Sequence, residues 1–134
     1  MSTVISSAAI QLFRRPAVAE ELTIYGTVYT DATGLGETPD NALKHVLRAM
    51  LSSAEFLYRI ELDPTPNSAT PHKLNGYELA SRLSYFLWSS GPDQALFDAA
   101  ASGKLLEDGE LLAHTDRLLQ DEKGKRFVMN FAGQ

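Results

Sequence analysis

The 134-residue chain contains no cysteine. That absence excludes disulfides, thiolate nucleophiles, zinc fingers, iron-sulfur clusters and a covalently attached c-type haem. Positive charge is also in short supply: twelve Lys and Arg face seventeen Asp and Glu, for a net charge of -5 and a pI near 5.1. Such a balance disfavours the phosphate backbone, so no nucleic-acid partner is expected. No run approaches the ~18 consecutive apolar residues of a membrane span. The opening MSTVISSAAIQLFRRPAVAEE lacks the basic-then-apolar order of a secretory signal, and Arg14-Arg15 is followed by Pro16 and Glu20-Glu21 where a twin-arginine signal needs a hydrophobic region. No internal repeat of fixed period is present, which disfavours a solenoid.

What is present is helical periodicity. At 44% apolar content, the chain can bury roughly two thirds of its unfolded surface. The expected fold is all-α, a compact bundle of about six to seven helices in two halves. Residues 75–91 organise it. Asn75 can cap this helix with Glu78 reaching back, Gly91-Pro92 supplies a stop, and Leu79, Ala80, Leu83, Phe86, Leu87 and Trp88 form a broad apolar face with Leu83 nearly fully buried at its centre. Earlier in the chain, Val4, Ile5, Ala8, Ala9, Leu12 and Phe13 mark a first helix, and Leu22, Tyr25, Val28 and Tyr29 mark a second that stops at Gly34. Thr38-Pro39 opens a third, free of Gly and Pro as far as Asp63, in which a Ser52-Glu55 capping box suggests a break. Asp93, Asp108 and Asp121 are candidate caps for three later helices, the last with Phe127, Val128 and Phe131 inward. The proline-rich run around residues 63–73 reads as a linker between a first module, 1–62, and a second, 74–134, with joint packing as one domain left open.

Few residues carry chemistry. His45, His72 and His114 are scattered, and only His114 has a carboxylate, Glu110, on its own helix face. Two such groups do not complete a coordination shell, so no metal and no cofactor are expected. The serine pairs Ser52-Ser53 and Ser89-Ser90 sit at helix ends, no G-x-S-x-G elbow occurs, and no catalytic residue can be proposed. Acid-first pairs such as Asp40-Lys44, Asp121-Lys125 and Glu122-Arg126 read as solvated helix faces. The sharper alternative is a ligand or partner contact at Arg59, Arg82, Tyr85 and Trp88, where a partly buried guanidinium beside aromatics could hold a carboxylate or stack on a ring.

Phe13-Arg14-Arg15-Pro16 with Glu20-Glu21-Leu22, and Leu51-Ser52-Ser53 with Phe56-Leu57-Tyr58-Arg59-Ile60-Glu61, resemble a planctomycete-type helical domain of unknown function. Leu79 through Ser90 with Pro92-Asp93, and Asn130-Phe131-Ala132-Gly133-Gln134, resemble the domain that usually follows it. The resemblance implies a piece of a large, exported, multidomain bacterial protein that often carries a planctomycete-type cytochrome c module. It implies periplasmic or extracellular placement of the parent, with the parent's other domains as partners, and it carries no catalytic residues. Against the pattern the chain is short, without a Cys-x-x-Cys-His haem motif and ending at Gln134 where such proteins continue, so both ends are expected to be truncated. The terminal helices, through Val4, Ile5, Ala8, Phe127, Val128 and Phe131, are expected to pair two copies as a dimer. The reading is thus a non-catalytic scaffold or interaction module, the competing one an oxidoreductase or degradative enzyme with a pocket near Arg59 and Arg82.

Overall fold

A computed structural model of the protein describes every residue except 62, 64 and 134, and only the backbone of residue 132. Parts of the expected linker and the final residue therefore lie outside the described residues. Among the described residues there are eight α-helices and no strand, so the fold is all-α. The chain divides into two compact units, residues 1–59 and residues 60–134.

The first unit holds α1 (Ser2–Phe13), α2 (Ala19–Gly34), α3 (Pro39–Leu51) and α4 (Ala54–Leu57). Ile5, Ala9 and Phe13 of α1, Tyr25 of α2 and Val46 and Met50 of α3 form its core, with the Phe13 and Tyr25 rings 5.9 Å apart. Thr38 caps α3 by accepting from the Asn41 amide, with Pro39 at the first helical position. The break before α4 occurs without the expected capping box. The Ser52 hydroxyl donates back to the Arg48 and Ala49 carbonyls and that of Ser53 to Met50, so both hydroxyls close α3, and Ser53 opens α4 through its backbone carbonyl alone, which accepts from the Leu57 amide.

The second unit is built on α5 (Gly76–Trp88), with α6 (Gln94–Ala101), a 3-10 turn over Lys104–Leu106, α7 (Asp108–Gln120), a second 3-10 turn over Glu122–Gly124 and α8 (Lys125–Ala132). Asn75 caps α5 as its sequence suggests: its Oδ1 accepts from the Tyr77 and Glu78 amides, and the Glu78 carboxylate accepts from the Asn75 amide. Asp93 caps α6 through the Leu96 amide. Asp108 is the first residue of α7 instead of its cap, and Asp121 caps the 3-10 turn that precedes α8.

Three expectations for this unit are corrected. First, α5 stops at Trp88, because Ser89 turns left-handed at φ 52 before Gly91 is reached. Second, Leu83 is only partly buried. The deepest line of α5 is the small-residue row Gly76, Ala80 and Ser84, which continues into Leu87 and Trp88. A Cβ at Gly76 would lie 2.8 Å from the Ala100 carbonyl, so only glycine lets the backbone of α6 come this close and pull the row inward. Third, Val128 and Phe131 point outward at 61% and 73% exposure, and Phe127 alone of that stripe packs on the core. The cause is polar. Arg126 donates to the Trp88 carbonyl and Asn130 to the Ser89 hydroxyl, and these bonds turn the Arg126–Asn130 side of α8 toward the end of α5. Ile5 is likewise buried in the first unit's core instead of lying on a shared terminal face.

Candidate functional site

In the first unit, the two arginines after Phe13 hold the chain together locally. Arg14 is 7% exposed and left-handed at φ 60, ending α1. Its guanidinium donates to the Glu55, Phe56 and Tyr58 carbonyls, satisfying the C-terminal carbonyls of the short α4, which has too few residues to do so itself. Arg15 forks onto Glu21, with bonds of 2.9 and 2.6 Å, and the same carboxylate accepts the Val18 amide at the start of α2. The Arg15 hydrogen bond, foremost, holds the Glu21 carboxyl below its usual value despite partial burial, with the Val18 amide adding to it. The groove of about 400 Å³ between α1 and α2, floored by Ile5, Leu22, Gly26 and Tyr29, has no charged side chain in its lining.

The four residues singled out from the sequence fall in different settings. Arg59 is exposed and closes the first unit, while Arg82, Tyr85 and Trp88 lie on α5 of the second. Arg82 is not partly buried: its side chain is 60% exposed and forks onto Glu61, Nε to Oε1 at 3.0 Å and Nη2 to Oε2 at 2.5 Å. That hydrogen bond and the charge of Glu61 raise the guanidinium further above its ordinary value. Tyr85 is half-buried. Trp88 is 2% exposed, with its indole N–H donating to the Leu118 carbonyl at 2.8 Å. The cations over its ring are Lys123, 4.6 Å from the centroid, and Arg117, 5.8 Å away.

Arg117 belongs to a network that the sequence did not reveal. It forks onto Asp93 at 2.6 and 3.1 Å, and its Nη2 lies 3.3 Å from His114 Nδ1. An arginine only donates, so Nδ1 accepts and the ring proton sits on Nε2. Burial pushes the Asp93 carboxyl upward, but the Arg117 bonds, the Leu96 amide and the Arg117 charge outweigh it, and the net shift is downward. Because Asp93 also caps α6, one carboxylate fixes the start of that helix and its anchorage to α7. No group of three or more His, Cys, Asp or Glu side chains gathers at metal-binding distance among the described residues. Nor is any described helix long and apolar enough to cross a membrane.

What the second unit presents outward is aromatic. Phe86, 59% exposed, lies 5.0 Å from the half-buried Phe127, which stacks on Phe131 at 5.4 Å and 16° between planes. Val128, one turn before Phe131 on α8, extends the face, and Arg82, one turn before Phe86 on α5, edges it. A shared signal for this face was already in the sequence as apolar residues of α5 and α8; what was missing was the rotation of α8 set by Arg126 and Asn130.

Residues 1–61 match the family model PSD5, described as a protein of unknown function (DUF1595), and residues 74–134 match PSD4, described as a protein of unknown function (DUF1592). The chain thus carries these two planctomycete-type domains of unknown function in tandem. No curated protein and no solved structure matches it.

Proposed function

We propose that the chain is a non-catalytic helical interaction module of a larger, exported, cytochrome-associated protein, and that the α5–α8 aromatic face is its contact surface. One observation carries the reading. The polar side chains of the motifs, Arg14, Arg15, Asp93, Trp88 and Asn130, are engaged in holding helix ends, whereas Phe86, Phe131 and Val128 stand in solvent. Uncovered apolar groups gathered on one face are the mark of an interaction surface, more than of a reaction centre. The partners are other domains of the parent, a cytochrome c module among them. Titrating a planctomycete-type cytochrome c module into the labelled chain should shift amide resonances along α5 and α8. An unchanged spectrum at millimolar partner, or shifts confined to α1 and α2, would count against the reading.

A second reading, part of an oxidoreductase or degradative enzyme, draws on Arg82. Its exposed fork is filled by the Glu61 carboxylate, which stands where an acidic substrate would bind. Replacing Glu61 by Gln should then create measurable affinity for small carboxylates, and calorimetry that finds none removes this reading.

A further inference from the structure

We infer that the α5–α8 aromatic face binds the same face of a second copy of this chain across a two-fold axis. The inference rests on the interaction-module reading and names a partner for it. Three features of the face select a second copy. Its centre is free of charge: Phe86, Phe127 and Phe131 form a continuous row of rings, with Val128 alongside. Aromatic rings are self-complementary, since the edge of one ring suits the face of another, so a two-fold rotation that sets row against row needs no second type of surface.

The rim also meets itself well. On one side stands the Arg82–Glu61 pair and, at the start of α8, Lys125 lies 3.8 Å from Glu122, both of these last side chains being largely exposed at 78% and 95%. Each edge therefore offers both signs, and a rotated copy finds an opposite charge within reach instead of only like ones. A strongly acidic or basic partner would need an edge of one sign, which this face lacks.

The area is of the right order for a reversible pair. Aromatic side chains carry about 150–250 Å² each, so at the observed exposures of 59% for Phe86 and 73% for Phe131, with Val128 at 61%, the centre exposes on the order of 400 Å² per copy. Two copies with part of their rims reach roughly 1,000 Å² in total, the lower end of specific interfaces. The dimer is accordingly weak, with dissociation in the micromolar range.

Sedimentation velocity of the full chain from about 5 to 500 μM tests this, a range spanning the affinity expected of so small an interface. The weight-average mass should rise toward twice that of the monomer. The double variant Phe86→Ser with Phe131→Ser should stay monomeric at the highest concentration while keeping its circular dichroism spectrum, because both side chains are mainly in solvent. Met129→Ser alters an equally exposed residue, 73%, on another side of α8 and should leave the dimer intact. A wild-type chain that stays monomeric, an open-ended size distribution, or a double variant that still dimerises overturns the inference. The module reading is separable. If the wild type is monomeric but the double variant loses the cytochrome-module shifts, the two-fold pair is wrong and the interaction surface stands; if those shifts persist in the double variant, the surface itself is wrong.

Discussion

In the first unit α1 ends on Arg14 at φ 60, and in the second α5 ends on Ser89 at φ 52, the only two non-glycine residues with positive φ among those described. Each is a place where glycine is the easy choice and another residue stands, at a cost of about 1–2 kcal/mol. The two units secure these endings with different strength. Arg14 is buried and its guanidinium reaches three carbonyls 41 to 44 residues away. Ser89 is exposed and its hydroxyl accepts one bond from Asn130. A strained helix end is thus a structural keystone in one unit and a one-bond attachment for α8 in the other. The rest of the second unit relies on Trp88, whose indole bond to Leu118 ties α5 to α7 through the core.

The largest effect should come from that tryptophan. Trp88→Ala removes the biggest buried side chain and leaves the Leu118 carbonyl without its donor, for an expected loss of about 3–5 kcal/mol by urea denaturation. A loss under about 1 kcal/mol would mean that Trp88 does not hold the second core.

The two left-handed positions sharpen the comparison most directly. Arg14→Gly relieves the backbone but orphans the carbonyls of Glu55, Phe56 and Tyr58, so it should still destabilise by roughly 1–3 kcal/mol, and Arg14→Ala by about 1 kcal/mol more. Ser89→Gly relieves the same strain and gives up one exposed bond, so its effect should lie within about 0.5 kcal/mol of zero, or stabilise. Equal losses at the two sites would erase the distinction drawn between the units. Next in size, Asn75→Ala should cost about 1 kcal/mol through the α5 cap.

The smallest effect is a pH dependence with one group in each unit. Glu21 and Asp93 both have carboxyl values lowered by folding, from ordinary values of 4.5 and 3.8. The native state therefore holds its carboxylates more tightly than the unfolded chain does. Their contribution is complete above those ordinary values and is lost as pH falls through the lower, folded ones. Melting temperature should accordingly decline on acidification below about pH 4.5, through both Glu21 and Asp93. Glu21→Gln should flatten the decline belonging to the first unit and Asp93→Asn that of the second. An unchanged profile in either variant removes that carboxylate from the account.

How far all this was legible varies by residue. The Asn75–Glu78 box, the Thr38-Pro39 start and the Asp93 cap are set by side chains two or three positions from their partners, and each is formed as the spacing suggests. The break at Ser52 was visible, but its cause was not, since a serine at a helix end can donate backward or accept forward with equal ease. Arg82 is the instructive case among the singled-out residues. Glu78 lies one turn before it, yet the fork onto Glu61 joins residues 21 positions apart, and no helical period encodes that. Outward placement of Phe131 was hidden for the same reason: on its own helix it shares a stripe with Phe127, and only the bonds of Arg126 and Asn130 decide which side of the stripe meets the core.

The sequence by itself determined the class of fold and the starts of α3, α5 and α6, because hydrophobic period, caps and prolines act within a turn or two of the chain. It also placed the aromatic residues on α5 and α8. Only the tertiary structure decided the depth of Leu83, the direction of Phe131 and Val128, and the partners of Arg14, Arg82 and Arg117. Those depend on how closely one helix approaches another, as Gly76 lets α6 approach α5, and on which distant carbonyl or carboxylate then comes within hydrogen-bond reach.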